Sequence, residues 1–313
     1  MEDDENHNPN GVAMKIKAML DEPKPRFSEE CCIYRVPNNI RKLKEDAYTP
    51  EVVSIGPFHH ANQNLLEMED QKRLYCRQFI ERSETKNLES FVSCVQELEA
   101  RVRGCYSDDI KLSKEEHVMV ILVDCCFILE LLLSIHFMFT RGDDVFLLPQ
   151  RLRYFIRNDL LLVENQVPFF VLDKLYNLAF PSTLNDDGHN SHPSLLFLAV
   201  LYFAPYFVSA DIISSDKVSQ FLSNVGRIDH FTDLSRKLIL RSSQLFQPSA
   251  SGCSREAHVT HLYSATELNE LGVKFEVNKS SKCLLDLQLT AYTLRIPFIR
   301  VHDSTEKFIG EIC

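Results

Sequence analysis

Three polar residues interrupt the most apolar stretch of this chain. Residues 159–176 read DLLLVENQVPFFVLDKLY, and Glu164, Asn165 and Gln166 separate two apolar runs. A buried polar group without a hydrogen-bond partner costs about 1–3 kcal/mol, and an unpaired buried charge costs more. The chain must therefore fold so that these three side chains meet partners, either in a structural hydrogen-bonded cluster or in a functional site.

The sequence around the triplet favours the structural interpretation. Val167 precedes Pro168, and a residue before proline avoids the helical conformation. A helix break at this point would leave backbone N–H and C=O groups without helical partners. The carboxylate and amide groups at 164–166 are expected to bond to these backbone groups.

Two acids from a long apolar helix complete the predicted polar cluster. Asp124 or Glu130 is expected to meet the helix break. The acids are expected to be neutralised by Arg151, Arg153 or Arg157, which lie just before the triplet. The predicted structural polar cluster consists of Asp124, Glu130, Glu164, Asn165 and Gln166.

A catalytic or metal site is the alternative interpretation. The other acids and imidazoles in distinctive motifs are His59, His60 and Glu69. Glu130 and Glu164 with a histidine would offer ligands to a metal if they converged. Asp124 and Glu130 lie about 120° apart around an ideal helix, so they do not form a pair on one face. After Gly56-Pro57, the two histidines are more simply explained as capping a turn.

Several classes of chemistry lack their sequence motifs. The chain has no H-E-x-x-H, no G-x-S-x-G and no phosphate-binding glycine loop. Its ten cysteines include no C-x-x-C pair, so we expect buried free thiols and no cofactor. A net charge of −10 disfavours nucleic acid as a partner, because phosphate binding needs a basic surface. We therefore expect a protein that is not an enzyme.

The segment Val118–Phe139 is long enough to cross a membrane. Eighteen of its 22 residues are apolar. Asp124 and Glu130 lie within it, and an acid near the bilayer centre costs about 3 kcal/mol. We therefore predict a buried core helix over Ser113–Phe139, started by a capping box at residues 113–116, and no membrane span in this chain.

The remaining pattern predicts a mainly α fold with minor β, in which a helical core is followed by a small C-terminal β element (class α+β). Further helices are predicted over Val12–Leu20, from Asn64 onward, and over Asn87–Val102 and Thr232–Leu245. Short strands are predicted at Val52–Ile55, Val273–Val277, Leu284–Leu289 and Ile299–Val301. We expect residues 1–26 to be a flexible N-terminal segment and 27–313 to be a single domain with an internal loop near 184–193.

Several distinctive motifs follow one another along the chain. They are Ile33–Pro37 (IYRVP), Tyr48–His60 (YTPEVVSIGPFHH), Leu66–Tyr75 (LEMEDQKRLY), Arg101–Asp108 (RVRGCYSD), Asp124–Leu131 (DCCFILEL), Ala265–Phe275 (ATELNELGVKF) and Cys283–Thr305. In these blocks and their order the chain resembles the plant domain of unknown function 247 family. That family has no established catalytic residues, so the resemblance implies no reaction, but it does imply a mainly helical plant protein.

The resemblance also implies a location and a role. Most relatives are tethered to a membrane by a C-terminal hydrophobic helix, whereas this sequence stops at KFIGEIC. We therefore expect either a soluble variant or a chain truncated before the usual anchor, which is cytoplasmic as it stands and membrane-associated if an anchor is missing. Some grass relatives resemble self-incompatibility determinants, so we predict recognition of an unknown protein partner. A hydrolase or metal-dependent enzyme with an unrecognised site is the alternative.

Overall fold

Helices form most of the structure, a computed structural model that describes residues 9–21, 28–141, 148–181, 192–207, 215–245, 263–279 and 287–298. The predicted fold class, mainly α with minor β, is confirmed. The α-helices are α1 Pro9–Asp21, α2 Asn38–Arg41, α3 Glu67–Arg82, α4 Leu88–Arg103, α5 Lys114–Arg141, α6 Gln150–Asp159, α7 Phe169–Ala179, α8 Leu195–Phe207, α9 Ser215–Asn224, α10 Phe231–Leu245 and α11 Ala265–Glu270. Two short 3-10 helices cover Glu45–Tyr48 and Gln63–Leu65.

The long helix α5 forms the centre of the core. It packs against α3, α4, α7 and α8, and a helix that is apolar on all sides must be buried on all sides. From Lys114 to Met138 it is long and apolar enough to span a bilayer, but 89% of its most apolar window is buried inside the protein. A core helix of a soluble protein has the same length and composition, so this is weak evidence for a membrane span.

Local side-chain caps explain where the core helices begin. The Asn87 side chain accepts a hydrogen bond from the Glu89 N–H at 3.0 Å, which starts α4. At the start of α5, Ser113 and Glu116 form the predicted capping box, each side chain accepting from the other residue's N–H. These bonds satisfy N–H groups that the first helical turn leaves free.

A small mixed sheet lies near the C-terminus. Its strands are β1 Lys274–Asn278, β2 Gln288–Thr290 and β3 Thr293–Pro297, in the order β1-β3-β2, with β1 parallel and β2 antiparallel to β3. The register places all of the apolar side chains on one face, because paired residues point the same way. These are Phe275, Val277, Leu289, Leu294 and Ile296.

Some predicted elements differ from the observed ones. The third strand, β3, covers Thr293–Pro297 and so precedes the predicted Ile299–Val301. The predicted residues 284–286 and 299–301 lie outside the described residues. Residues 184–191 of the internal loop also lie outside the described residues, as does the whole of the N-terminal segment 1–26 apart from α1. The strand predicted at Val52–Ile55 is not observed: residue 52 lies in a bend, and residues 53–55 have no regular secondary structure.

Candidate functional site

A backbone segment that belongs to no helix or strand runs through the polar core. We call Glu51–Gly56 the extended segment, after the strand predicted at 52–55; it bends at residues 51 and 52, and residues 53–55 have no regular secondary structure. The N–H groups of Glu51, Val52, Val53, Ile55 and Gly56 all donate to side-chain oxygens at 2.8–2.9 Å. A strand in a sheet would bond to another backbone instead. Here buried polar side chains replace the missing strand.

The last residue of α6 and a residue of the turn that follows it bind most of the extended segment. The Asp159 carboxylate, at the end of α6, accepts the N–H groups of residues 51–53. Asn165 accepts from Ile55 N–H at 2.8 Å and donates from Nδ2 to the carbonyl of Val53 at 3.0 Å. A second Asn165 N–H donates to the Asp159 carbonyl, also at 3.0 Å. Both carboxylate oxygens of Asp159, and both the Oδ1 and the Nδ2 of Asn165, bond to backbone groups.

A buried ion pair completes the contacts of the extended segment. Asp124, on α5, accepts from the Gly56 N–H at 2.8 Å and from Lys72 Nζ at 2.5 Å. Lys72, on α3 and 1% exposed, also donates to the Ser54 carbonyl at 3.0 Å and lies 2.6 Å from Glu69. Burial alone would lower the pKa of Lys72, but the two carboxylates outweigh it and raise the pKa. Lys72 therefore stays charged and neutralises Asp124.

Gln166 joins three parts of the fold through its side chain and main chain. Its Nε2 donates to the carbonyls of Leu160 and Leu162 at 2.7 and 2.8 Å, which closes the turn after α6. Its Oε1 accepts the N–H of Phe231, the first residue of α10, at 3.0 Å. The Tyr106 hydroxyl donates to its main-chain carbonyl at 3.0 Å.

Glu164 binds residues 35–41, which lie between the N-terminal segment and the first 3-10 helix. Its buried carboxylate accepts the Val36 N–H at 2.6 Å and forms an ion pair with Arg41. Arg35 and the His59 ring lie 3.4 and 3.5 Å from its Oε2. Burial alone would raise the pKa of Glu164, but its contacts with His59, the Val36 N–H and Arg41 lower the pKa to about 2. Glu164 is therefore held as a carboxylate.

Glu130 makes a separate contact between α3 and α5. Arg82 donates to both of its oxygens, with the shortest N–O distance at 2.7 Å, and Ser134 lies 3.3 Å away. Burial raises the pKa of Glu130, and Arg82 opposes the shift. Arg82 also covers the Phe137 ring at 4.9 Å. Glu130 and Glu164 thus have different partners and do not converge.

The three less favoured site residues fall into the same network or beside it. His59 contacts Glu164, Glu69 contacts Lys72, and His60 is partly buried next to His59. Across the ranges that the structure describes, no three His, Cys, Asp or Glu side chains are arranged as metal ligands. The geometry is that of interlocking caps and ion pairs.

Several partners of the buried acids are not the residues that the sequence predicts. Arg41, Lys72 and Arg82 pair with the acids, where the arginines of the α6 segment had been expected. Asp159 was not singled out, although it ends a helix and begins the distinctive run at 159–176. Lys72 follows Glu69 by one helical turn, so a helix pair was visible, but its burial was not.

An open cleft of about 570 Å³ lies next to the residues that hold Glu164. Arg35 lies between the cleft and Glu164. Its Nε is 2.9 Å from Asp108 Oδ2, and its Nη1 is 3.4 Å from Glu164 Oε2. The neighbouring surface exposes Tyr34, Ile40 and Leu43, the last at 84%. The cleft is lined by Arg35, Val36, Pro37, Asn38, Arg41, Glu45 and Asp108.

Comparison with known proteins identifies relatives of unknown function. The chain is 30% identical over 282 residues to UPF0481 protein At3g47200 of Arabidopsis thaliana, covering 87% of this chain and 58% of that protein. It is 28% identical over 209 residues to Putative UPF0481 protein At3g02645 of the same plant, covering 66% and 37%. The chain thus spans little more than half the length of these relatives at most. No solved structure matches it. The profile of the family DUF247, described as a plant protein of unknown function, matches residues 33–310, and the chain belongs to that family.

Proposed function

We propose that this protein is a non-enzymatic recognition module that binds another protein. The observation that carries the proposal is that the buried polar side chains bond to the protein's own backbone and charges. Asp159, Asn165 and Gln166 cap backbone groups, while Asp124 and Glu164 are also paired with cations. A catalytic acid or base needs a substrate within hydrogen-bond reach. Carboxylates and amides whose partners lie within the protein stabilise its fold and are not placed to act on a substrate.

The enzyme alternative required Glu130, Glu164 and His59 to converge in an open cleft. His59 does approach Glu164, at 3.5 Å, but Glu130 is bound by Arg82. An Arg-bound carboxylate and a carboxylate with a lowered pKa are poor general bases at neutral pH. These contacts favour recognition over catalysis.

The surface around the cleft is the one that we assign to partner binding. Ile40 and Leu43 are exposed apolar residues on the segment that lines it. The cleft lining balances two arginines, Arg35 and Arg41, with the carboxylates of Glu45 and Asp108, while Glu164 behind it is buried. The chain as a whole carries a net charge of −10. This overall charge favours a basic partner that buries an apolar contact on this surface.

A narrower form of the proposal is a role like that of the grass self-incompatibility proteins. It rests on the family resemblance alone. A cytoplasmic location for this chain, with membrane association through a following anchor, belongs to the same proposal.

Proximity labelling in plant cells tests the assigned surface. We expect the wild-type chain and a Leu88→Asp control, changed at a distant exposed residue, to label a shared basic protein that Ile40→Asp/Leu43→Asp does not label. The purified candidate should then bind the double variant at least about tenfold more weakly. Equal binding to all three chains would refute the assigned surface. A substrate turnover that His59→Ala abolishes, in a folded protein, would favour the enzyme alternative.

A further inference from the structure

Cys32 and Cys105 lie side by side where the chain around residues 31–33 passes the end of α4. The Cys105 carbonyl accepts hydrogen bonds from the N–H groups of Cys32 and Ile33, at 3.0 and 2.9 Å, and Ile33 pairs with Tyr106 in a parallel β-bridge. Backbones paired in this way lie about 4.8 Å apart. A disulfide spans Cα atoms about 4.4–6.8 Å apart. The two backbones therefore meet the spacing that a disulfide needs.

The bridge register also places the two side chains next to each other, because neighbouring residues of paired strands point the same way. Both residues are free thiols, and the Cys105 thiol donates to the Arg101 carbonyl at 3.4 Å. The Cys32 thiol lowers the pKa of Cys105, whereas Cys105 and burial raise the pKa of Cys32, so Cys105 is the member that favours the thiolate. Cys32 is partly exposed, whereas Cys105 is 1% exposed. A small oxidant must therefore reach the Cys105 thiolate past Cys32, which is in place to react next.

We propose that Cys32 and Cys105 form a disulfide bond when the protein meets hydrogen peroxide. One thiolate attacks the peroxide, its sulfur becomes a sulfenic acid, and hydroxide leaves. The second thiolate attacks that sulfur, the S–S bond forms, and a second hydroxide leaves. The two thiol protons end in two water molecules, and the peroxide accepts the two electrons. The product is the same whichever sulfur reacts first.

The disulfide would fix the segment that holds Glu164. Arg35 and Val36 lie three and four residues after Cys32. They contact Glu164 and line the cleft. A bond from Cys32 to Cys105 would tether this segment to the end of α4. It would also close a loop of about 70 residues, which lowers the entropy of the unfolded chain. Oxidation would therefore stabilise the cleft surface.

Peptide mapping of the whole chain tests the proposal. The reduced protein is treated with hydrogen peroxide, its remaining thiols are alkylated under denaturing conditions, and the digest is analysed by mass spectrometry. We expect a linked peptide pair containing Cys32 and Cys105, with a Tm raised by about 5 °C or more relative to the reduced protein. A reductant should reverse both changes.

Variants separate this bond from other thiol chemistry. Cys31→Ser should keep the linked peptides and the Tm rise, whereas Cys32→Ser and Cys105→Ser should each lose both. Cys76 and Cys126 also contact each other but are 9% and 0% exposed, so they should remain alkylatable after the treatment. The proposal is overturned if both thiols of the pair remain reduced, if Cys32 is instead oxidised to sulfinic acid, or if Cys31 is the residue linked to Cys105.

Discussion

At the scale of single residues, buried polar side chains take over bonds that a neighbouring strand would have made. Asp159 alone accepts three N–H groups of the extended segment. Hydrogen bonds to a charged acceptor are worth about 1.5–3 kcal/mol each. A carboxylate at this position therefore stabilises an irregular backbone that an amide or a hydroxyl would hold less well.

Glu164 provides the pH-dependent test of such a residue. Its pKa of about 2 lies below the ordinary 4.5, so the folded state favours the carboxylate. This contribution is fully present above pH 4.5 and is lost as pH falls from 4.5 towards 2. Glu164→Gln should lower the free energy of unfolding by about 3 kcal/mol at pH 7, because each pKa unit corresponds to about 1.4 kcal/mol. Urea unfolding of both chains at pH 7 and at pH 3.5 would measure it.

The control for this prediction is an exposed acid in mid-helix. Glu97→Gln, on α4, should change the free energy of unfolding by less than about 0.5 kcal/mol. The deficit of Glu164→Gln should shrink at the lower pH. Equal stability of wild type and Glu164→Gln at pH 7 would contradict a structural role for the charge.

The triplet at 164–166 could be predicted to need partners, but its partners could not be predicted. Polar residues inside apolar runs are visible in a sequence. Val36 lies 128 residues from Glu164, and Ile55 lies 110 residues from Asn165. Contacts over such separations depend on how the helices pack, which local patterns do not encode. Arg41 and Lys72 were missed for this reason.

At the scale of elements, the extended segment ends in a turn that only glycine fits. Gly56 has φ +72°, and a Cβ there would lie 2.4 Å from the Gln166 carbonyl oxygen, a backbone atom. Gly56→Ala should therefore lower the free energy of unfolding by about 3 kcal/mol, adding left-handed strain to a steric clash. Thermal or urea unfolding of the purified variant measures the loss.

Gly226 separates strain from clash. It has nearly the same φ, +73°, but a Cβ there would meet no atom within 4 Å. Gly226→Ala should lower the free energy of unfolding by about 1–2 kcal/mol, the cost of the backbone conformation alone. Equal losses in the two variants would show that the close approach to Gln166 does not matter.

Helices were easier to predict than the extended segment. The capping box at Ser113 and the apolar run that follows are local signals, and both were correct for α5. Residues 52–55 have a strand-like composition but form no strand, because side chains rather than a neighbouring backbone accept their N–H groups. An apolar run of this length indicates an extended backbone without indicating what it bonds to.

At the scale of the whole molecule, the polar contacts join parts that are far apart in the chain. The extended segment is bound by α5 through Asp124, by the end of α6 through Asp159 and by the following turn through Asn165. Gln166 extends the network to the start of α10, and Glu164 extends it to Val36. Because each contact requires the others to be in place, the extended segment should open only with the surrounding core.

Hydrogen exchange of the extended segment tests this account most directly. Mass spectrometry of peptides covering residues 51–56 would compare their amide exchange with that of 125–133 in α5. The account predicts that the amides of Val53, Ile55 and Gly56 exchange nearly as slowly as those of the α5 core, although no strand or helix contains them. Exchange at the rate of an exposed loop would contradict the claim that buried side chains hold this backbone in place.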